Sequence, residues 1–239
     1  MKKGSFFCAL FIGILPVNVF ANMRPLVSIA AGADYLRLVT NQNVVITSPY
    51  YNTYYGNNRF LDFAGGVFAG FEGLLSQSVL GQIGLSYYQN TSYRDSGYIN
   101  QFGDPALNNL RYQFDIVSKR FFVESKILAA LDSVYHPFLN IGLGASINYA
   151  GQYTETPVSS ADVPMVPGFQ NRITRSFAYL VGAGVDMDIT KDIRLGALYR
   201  FVSLGGARLN TTPLSDTGQL LKSNNLRVNE IFIQFTYLG

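Results

Sequence analysis

The chain has 239 residues, a formal net charge of +3 and 14% charged side chains, well under the roughly 25% of ordinary soluble domains. Lys2 and Lys3 open it, and without them the charge is +1, which gives no case for nucleic acid as a partner. The single cysteine, Cys8, falls among the first twenty-one residues, so disulfides, thiol catalysis and cysteine metal sites are excluded from the rest.

Residues 1–21, "MKKGSFFCALFIGILPVNVFA", carry two lysines, an apolar stretch from Phe6 to Leu15 and a small residue, Ala21, before Asn22. This is the pattern of a secretory signal peptide cut after Ala21, and the apolar run is too short for a spanning helix. Residues 22–239 are expected to form one domain. No later apolar run approaches the roughly 20 residues of a membrane helix, yet 16 tyrosines, 18 phenylalanines and 23 glycines are present. A sparsely charged, aromatic, exported chain without spanning helices points to a transmembrane β-barrel.

Eight segments alternate with a period of two and predict strands, roughly 25–39, 59–73, 79–93, 110–130, 137–151, 172–188, 193–207 and 226–238. In the fifth, Leu139, Ile141, Leu143, Ile147 and Tyr149 oppose Asn140, Gly142, Gly144, Ser146 and Asn148. In the last, Ile231, Ile233, Phe235 and Tyr237 oppose Glu230, Gln234 and Thr236. The fourth breaks parity: Tyr112, Phe114 and Ile116 are even, whereas Phe121, Val123 and Ile127 are odd. A β-bulge near Val117–Lys119 restores the face; otherwise 110–117 stands above the membrane. Connections alternate between short (74–78, 131–136, 189–192) and long (40–58, 94–109, 152–171, 208–225). Short on one side and long on the other is the signature of an outer-membrane barrel with periplasmic turns and external loops. The predicted fold is all-β, an eight-stranded antiparallel up-and-down barrel with a polar lumen.

Charges decide which face is inside. Asp34, Asp62, Glu72, Glu124, Lys126, Asp186, Arg194, Arg200 and Glu230 share the small-and-polar parity with many glycines, which suits a narrow polar interior filled by side chains. The opposite face is almost free of charge; Arg37 and Arg175 share its parity but sit toward the loop ends. A soluble exported cup is the rival, with its apolar face inward. The charged constellation reads as a plug of paired ions; the sharper alternative is a gate, in which exchange of partners opens a narrow ion path.

Residues 48–60, "SPYYNTYYGNNRF", place Tyr50, Tyr51, Tyr54 and Tyr55 in the first long connection. Such rings settle at membrane interfaces or serve as contact surface. The single histidine, His136, precedes Pro137 in an expected periplasmic turn, where no pocket serves a catalytic triad. "DMDITKD" (186–192) lacks the glycine and terminal acid of a calcium loop. Neither catalytic residues, cofactor nor metal ligands are expected.

Over its whole length the chain resembles the OmpA/OmpX-like small outer-membrane β-barrels of Gram-negative bacteria, in leader, strand count, connections and polar lumen rather than in any motif. Its end, "NEIFIQFTYLG", resembles the terminal strand signal read by the barrel-assembly machinery, although Leu238 and Gly239 follow the last aromatic residue, Tyr237. The resemblance implies a cell-outer-membrane location, contact with outer-membrane lipid and lipopolysaccharide, and passage by periplasmic chaperones and the assembly machinery. It also implies loops that meet an extracellular or host ligand. The expected role is non-enzymatic, structural or in adhesion; a small pore and a lipid-modifying enzyme are the alternatives.

Overall fold

The computed structural model describes residues 23–130, 134–158, 168–211, 218–223 and 225–239; the expected leader lies outside them. Eleven strands follow in order: β1 (Arg24–Thr47), β2 (Tyr50–Ser76), β3 (Val79–Asn90), β4 (Tyr93–Asn100), β5 (Asn108–Ala129), β6 (Tyr135–Pro157), β7 (Arg172–Asp188), β8 (Ile193–Ser203), β9 (Ala207–Arg208), β10 (Lys222–Ser223) and β11 (Arg227–Leu238). β3 and β4 are one stave interrupted at Thr91–Ser92, and β9 and β10 pair only with each other. The rest close an antiparallel ring of eight staves, with β1 hydrogen-bonded to both β2 and β11.

The register fixes the barrel's shape. Stepping between paired residues from Leu26 leads through Gly70, Gly84, Glu124, Gly142, Leu180, Val202 and Val228 back to β1 at Leu36, ten residues above the start. With strands about 4.8 Å apart and rising about 3.3 Å per residue, a shear of ten over eight staves tilts them roughly 40° and gives a radius of about 8 Å.

The first connection is not a loop. β1 and β2 run on to a tight turn at Ser48–Pro49, and they are 24 and 27 residues long. Some 9–11 tilted residues cross a bilayer, so more than half of this hairpin stands clear of it. The second connection is shortened likewise: β4 takes up 93–100, and two 3-10 turns, Gln101–Gly103 and Pro105–Leu107, complete it. β6 extends to Pro157, and β9 and β10 occupy part of the fourth connection; residues 159–167 and 212–217 lie outside the described residues. The short turns and both described termini share the other end, where the Gly239 amide donates to Pro25.

No bulge lies at Val117–Lys119, where β5 pairs regularly with Tyr149, Asn148 and Ile147. The extra residues belong to its neighbours. β6 takes three steps from Gly151 to Thr154 while β5 takes two, with Gln152 at φ +55°. The β3–β4 stave takes four from Gln89 to Tyr93 while β5 takes three. Inward parity therefore switches in those staves, from Asn90 to Tyr93 and from Ala150 to Tyr153, whereas β5 keeps even residues inward throughout. Its apparent break is a change of solvent along the barrel, with 110–117 in the part beyond the bilayer.

That change organises the molecule. On the lower part the outward residues are apolar and exposed, among them Leu61 (78%), Leu85 (67%) and Leu139 (66%), in a band roughly 25 Å tall, while the inward ones are polar. Above it the pattern inverts. Asn41, Asn43, Asn57, Arg111, Gln113, Thr154 and Thr156 face out. Leu38, Val44, Tyr54, Ile99, Leu110, Tyr112, Phe114, Leu209 and Leu221 are buried in one apolar cluster. The upper part is a collar with the core of a water-soluble barrel.

Candidate functional site

The lumen of the membrane part holds a continuous set of buried ion pairs. Nearest the short-turn end, Arg194 on β8 donates through Nη1 to Glu72 Oε2 at 2.6 Å and through Nε to Asp188 Oδ1 at 2.7 Å. Gln82 Nε2 donates to the same Glu72 oxygen at 2.7 Å. His136 lies in β6 rather than in a turn, because the hairpin begins at Tyr135, and its even parity turns it inward. Its Nε2 stands 2.8 Å from Asp188 Oδ2 and its Nδ1 3.1 Å from the Ala129 carbonyl.

One level up, Lys126 Nζ meets Asp186 Oδ2 at 3.1 Å and lies 3.9 Å from the centre of the Phe138 ring. Asn140 donates to Glu124 at 2.9 Å. The uppermost group is fully enclosed. Arg120 on β5 crosses the lumen to donate to Glu230 on β11 and, through Nη2, to Asp34 Oδ2 on β1 at 2.8 Å. Arg200 donates to the other Glu230 oxygen, and the Tyr93 hydroxyl to Asp34 at 2.6 Å. The Arg200 guanidinium lies between two rings, 3.7 Å from the centre of Tyr88 and 4.5 Å from that of Phe232. Such cation–π contacts strengthen when desolvated. A Cβ on Gly66 would fall 2.1 Å from Tyr88 Cδ1, so the absence of a side chain there lets this ring cover the arginine.

A polar lid closes the network. Asn148 Nδ2 donates to the Leu204 and Gly206 carbonyls at 2.8 and 3.0 Å, the Ser146 hydroxyl to Leu204 at 2.6 Å, and the Ser118 hydroxyl to Asn148 at 2.7 Å. A lumen cavity beside Lys126, Glu124 and Gln234 measures about 10 Å3, at the limit for one water.

Of the nine charged residues expected in the lumen, the structure brings Asp34, Glu72, Glu124, Lys126, Asp186, Arg194, Arg200 and Glu230 there. Asp62 is elsewhere: it accepts from the Thr91 hydroxyl and, at 2.8 Å, from the Ser92 amide. It thus bridges β2 to the interruption between β3 and β4, where no ladder pairs run between Ala64 and Tyr55 on β2. Sequence reasoning missed Arg120, which links three staves, and it set His136 in a turn outside the ion pairs. The signal for Arg120 was available, since it shares even parity with Glu124 and Lys126; the expected bulge beside it obscured the face.

The tyrosine cluster belongs to a strand. β2 carries Tyr50, Tyr51, Tyr54 and Tyr55 into the collar, well above the apolar band. Tyr54 is buried against Tyr112 and Phe169, with ring centroids 5.6 and 5.7 Å apart. Tyr55 stacks on Tyr98 at 5.9 Å, and Tyr50 meets Phe102 edge-on at 5.7 Å. Beside Tyr54 the Tyr153 hydroxyl donates to Glu155, and burial pushes the Glu155 carboxyl above the usual carboxylate range. The Asp95 carboxyl, which accepts from Thr40 and Asn58, is raised for the same reason.

The closed ring of eight staves, the apolar outer band and the ion-paired interior define a small eight-stranded β-barrel of the outer-membrane type. Several solved barrels are similar to it. Neisserial surface protein A is 14% identical at a TM-score of 0.43, over 90% of this chain and 98% of that one. OprG from Pseudomonas aeruginosa is 12% identical at 0.42, over 90% and 95%. The outer membrane protease OmpT from Escherichia coli is 8% identical at 0.39, over 92% and 95%. No protein-family model matches the chain, and no curated protein matches it in sequence. These likenesses accompany the assignment, which rests on the strand ring and its inverted faces.

Proposed function

We propose that this protein is a non-enzymatic surface barrel, exported by a leader cut after Ala21, whose membrane part is a sealed anchor and whose collar is a rigid platform for contact outside the cell. The inversion along β1 and β2 carries this reading. The same two strands are apolar outward at Ile29 and Val67 and apolar inward at Val44 and Tyr54, so their upper half is built to stand in water. Ion pairs close the lower lumen and an apolar core closes the upper one, which supports a plug over a pore. His136, the residue best suited to general-base chemistry, is held by Asp188 and a backbone carbonyl at the end opposite the collar, which supports a non-catalytic role.

Two measurements test the reading. In planar bilayers the protein gives no discrete conductance steps, and steps of constant size would establish the pore instead. Bacteria displaying the full chain attach to epithelial cells or mucin better than bacteria displaying a version with residues 42–54 replaced by a two-residue turn. Equal attachment, with both versions folded at the surface, would remove the contact role.

A further inference from the structure

The tip of the β1–β2 hairpin is aromatic and uncharged. From Leu38 to Asn58 the sequence holds neither an acid nor a base. The 3-10 turn Gln101–Gly103 leans on this tip, where the Phe102 amide donates to the Asn52 side-chain oxygen at 3.1 Å. Phe102 is held at φ +55°, ψ +20°, a left-handed conformation that a bulky residue ordinarily avoids. Gly103 follows at φ +71°, and a Cβ on it would fall 2.5 Å from the Tyr51 ring. A strained backbone and a missing side chain thus seat the Phe102 ring edge-on to Tyr50, yet both rings are 57% exposed. Tyr51 and Leu107 are exposed as well. A hollow of about 230 Å3 adjoins the two rings, lined by Ile46, Thr47, Tyr50, Asn52, Gln101 and Phe102, all uncharged. The next acid in sequence, Asp104, is turned back to accept from the Ala106 amide at 2.9 Å.

These rings are not the interfacial girdle of the barrel's own bilayer. On β2 the apolar band ends at Leu61, since Arg59 and Asn57 follow it outward. The stretch of β2 from Leu61 up to Tyr50, at about 3.3 Å per residue and a tilt of roughly 40°, lifts the tip about 25–30 Å beyond that edge.

We propose that Tyr50 and Phe102 dock the collar on a second membrane, entering the head-group layer of a neutral, zwitterionic lipid surface that faces the barrel's own. Aromatic rings of this kind settle in the interfacial zone of a bilayer. An exposed apolar patch marks a membrane or a protein contact, and protein contacts are enriched in arginine. The tip has no charge to offer a protein, an acidic glycan or an anionic lipid, and none to strip of water on entering a neutral one. The proposal rests on the contact role of the collar and names a lipid surface as what the collar meets.

The chain contains no tryptophan, so one placed at the tip reports alone. The full barrel carrying Phe102→Trp, held in amphipol, is mixed with phosphatidylcholine vesicles. Its emission shifts to the blue and iodide quenching falls at least twofold. Tyr50→Ser in the same background removes most of the shift. Tyr50→Trp is the second reporter, which leaves the strained turn intact, and it gives the same response. Thr154→Trp, on the collar wall, gives none. Unchanged emission from both tip reporters would overturn the proposal, as would a shift that requires phosphatidylserine in the vesicles, which marks attraction by charge. An equal shift for Thr154→Trp would also overturn it, because the whole barrel would then have entered the lipid. A shift with mucin and not with vesicles would give the tip to a glycoprotein and end the proposal. If bacterial attachment depends on residues 42–54 while vesicles leave the emission unchanged, the contact role stands and only the lipid surface falls.

Discussion

Arg120 on β5 and Glu230 on β11 are 110 positions apart in sequence and joined by a hydrogen-bonded ion pair across the lumen, each fully enclosed. Arg200 and Arg120 share that carboxylate, and Arg120 also holds Asp34. Removing one partner of such a group strands the others without solvent, which costs about 3–5 kcal/mol. Arg120→Ala is expected to destabilise the barrel by about that much in urea unfolding from lipid. The collar core lies above the pair and is untouched, so the variant should conduct no more than the parent. Conductance appearing with this single change would show that the ion pairs gate the barrel.

Gly66 makes room for the Tyr88 ring that covers Arg200. Gly66→Ala forces the ring or the strand aside, and overpacking of this kind costs about 1–3 kcal/mol. The expected result is lower thermal stability with an unchanged fold, seen as an earlier heat-induced shift in gel mobility.

Ile141 and Thr154 are both exposed outward residues of β6. Ile141 lies near mid-height of the apolar band, where an arginine facing lipid costs about 2–4 kcal/mol. Thr154 stands in the collar, where a surface substitution is worth within about 0.5 kcal/mol. Ile141→Arg should therefore impair folding into lipid while Thr154→Arg leaves it unchanged. Similar losses for both would place the bilayer higher on the barrel.

Burial of Glu155 raises its carboxyl pKa above that of the unfolded chain. The folded collar then binds protons more readily than the unfolded one, so its stability falls as pH rises through the raised value. Lowering the pH from neutral towards about 4, the range of an unfolded glutamate, should strengthen hydrogen-exchange protection of collar amides in β5 and β6, after correction for intrinsic exchange. Asp95 acts in the same sense. Glu155→Gln should flatten much of that slope. Protection that weakens on acidification would contradict the sign.

Strand number, direction and the inward set of charges are legible in the sequence, because a barrel wall separates its two faces at every second residue. Ile231, Ile233, Phe235 and Tyr237 against Glu230, Gln234 and Thr236 leave no doubt of the face. The collar was hidden because tyrosine, asparagine and threonine around positions 41–58 carry no strong contrast between faces. Their alternation is real, but both faces mix polar atoms with rings. The β5 parity break was legible and its cause was not: Tyr112, Phe114 and Ile116 are apolar because the interior changes its chemistry with height. The side-step sits in the partner strands at Gln152 and Thr91–Ser92, where sequence alone shows ordinary polar residues.

The sealed interior also sets an order of assembly. A tube of about 8 Å radius, filled with its own side chains, leaves no passage for a second folded layer. The oily centre of the collar, including Val44, Tyr54 and Tyr112, could not thread the finished ring, so on the placement proposed above it would cross before the ring shuts.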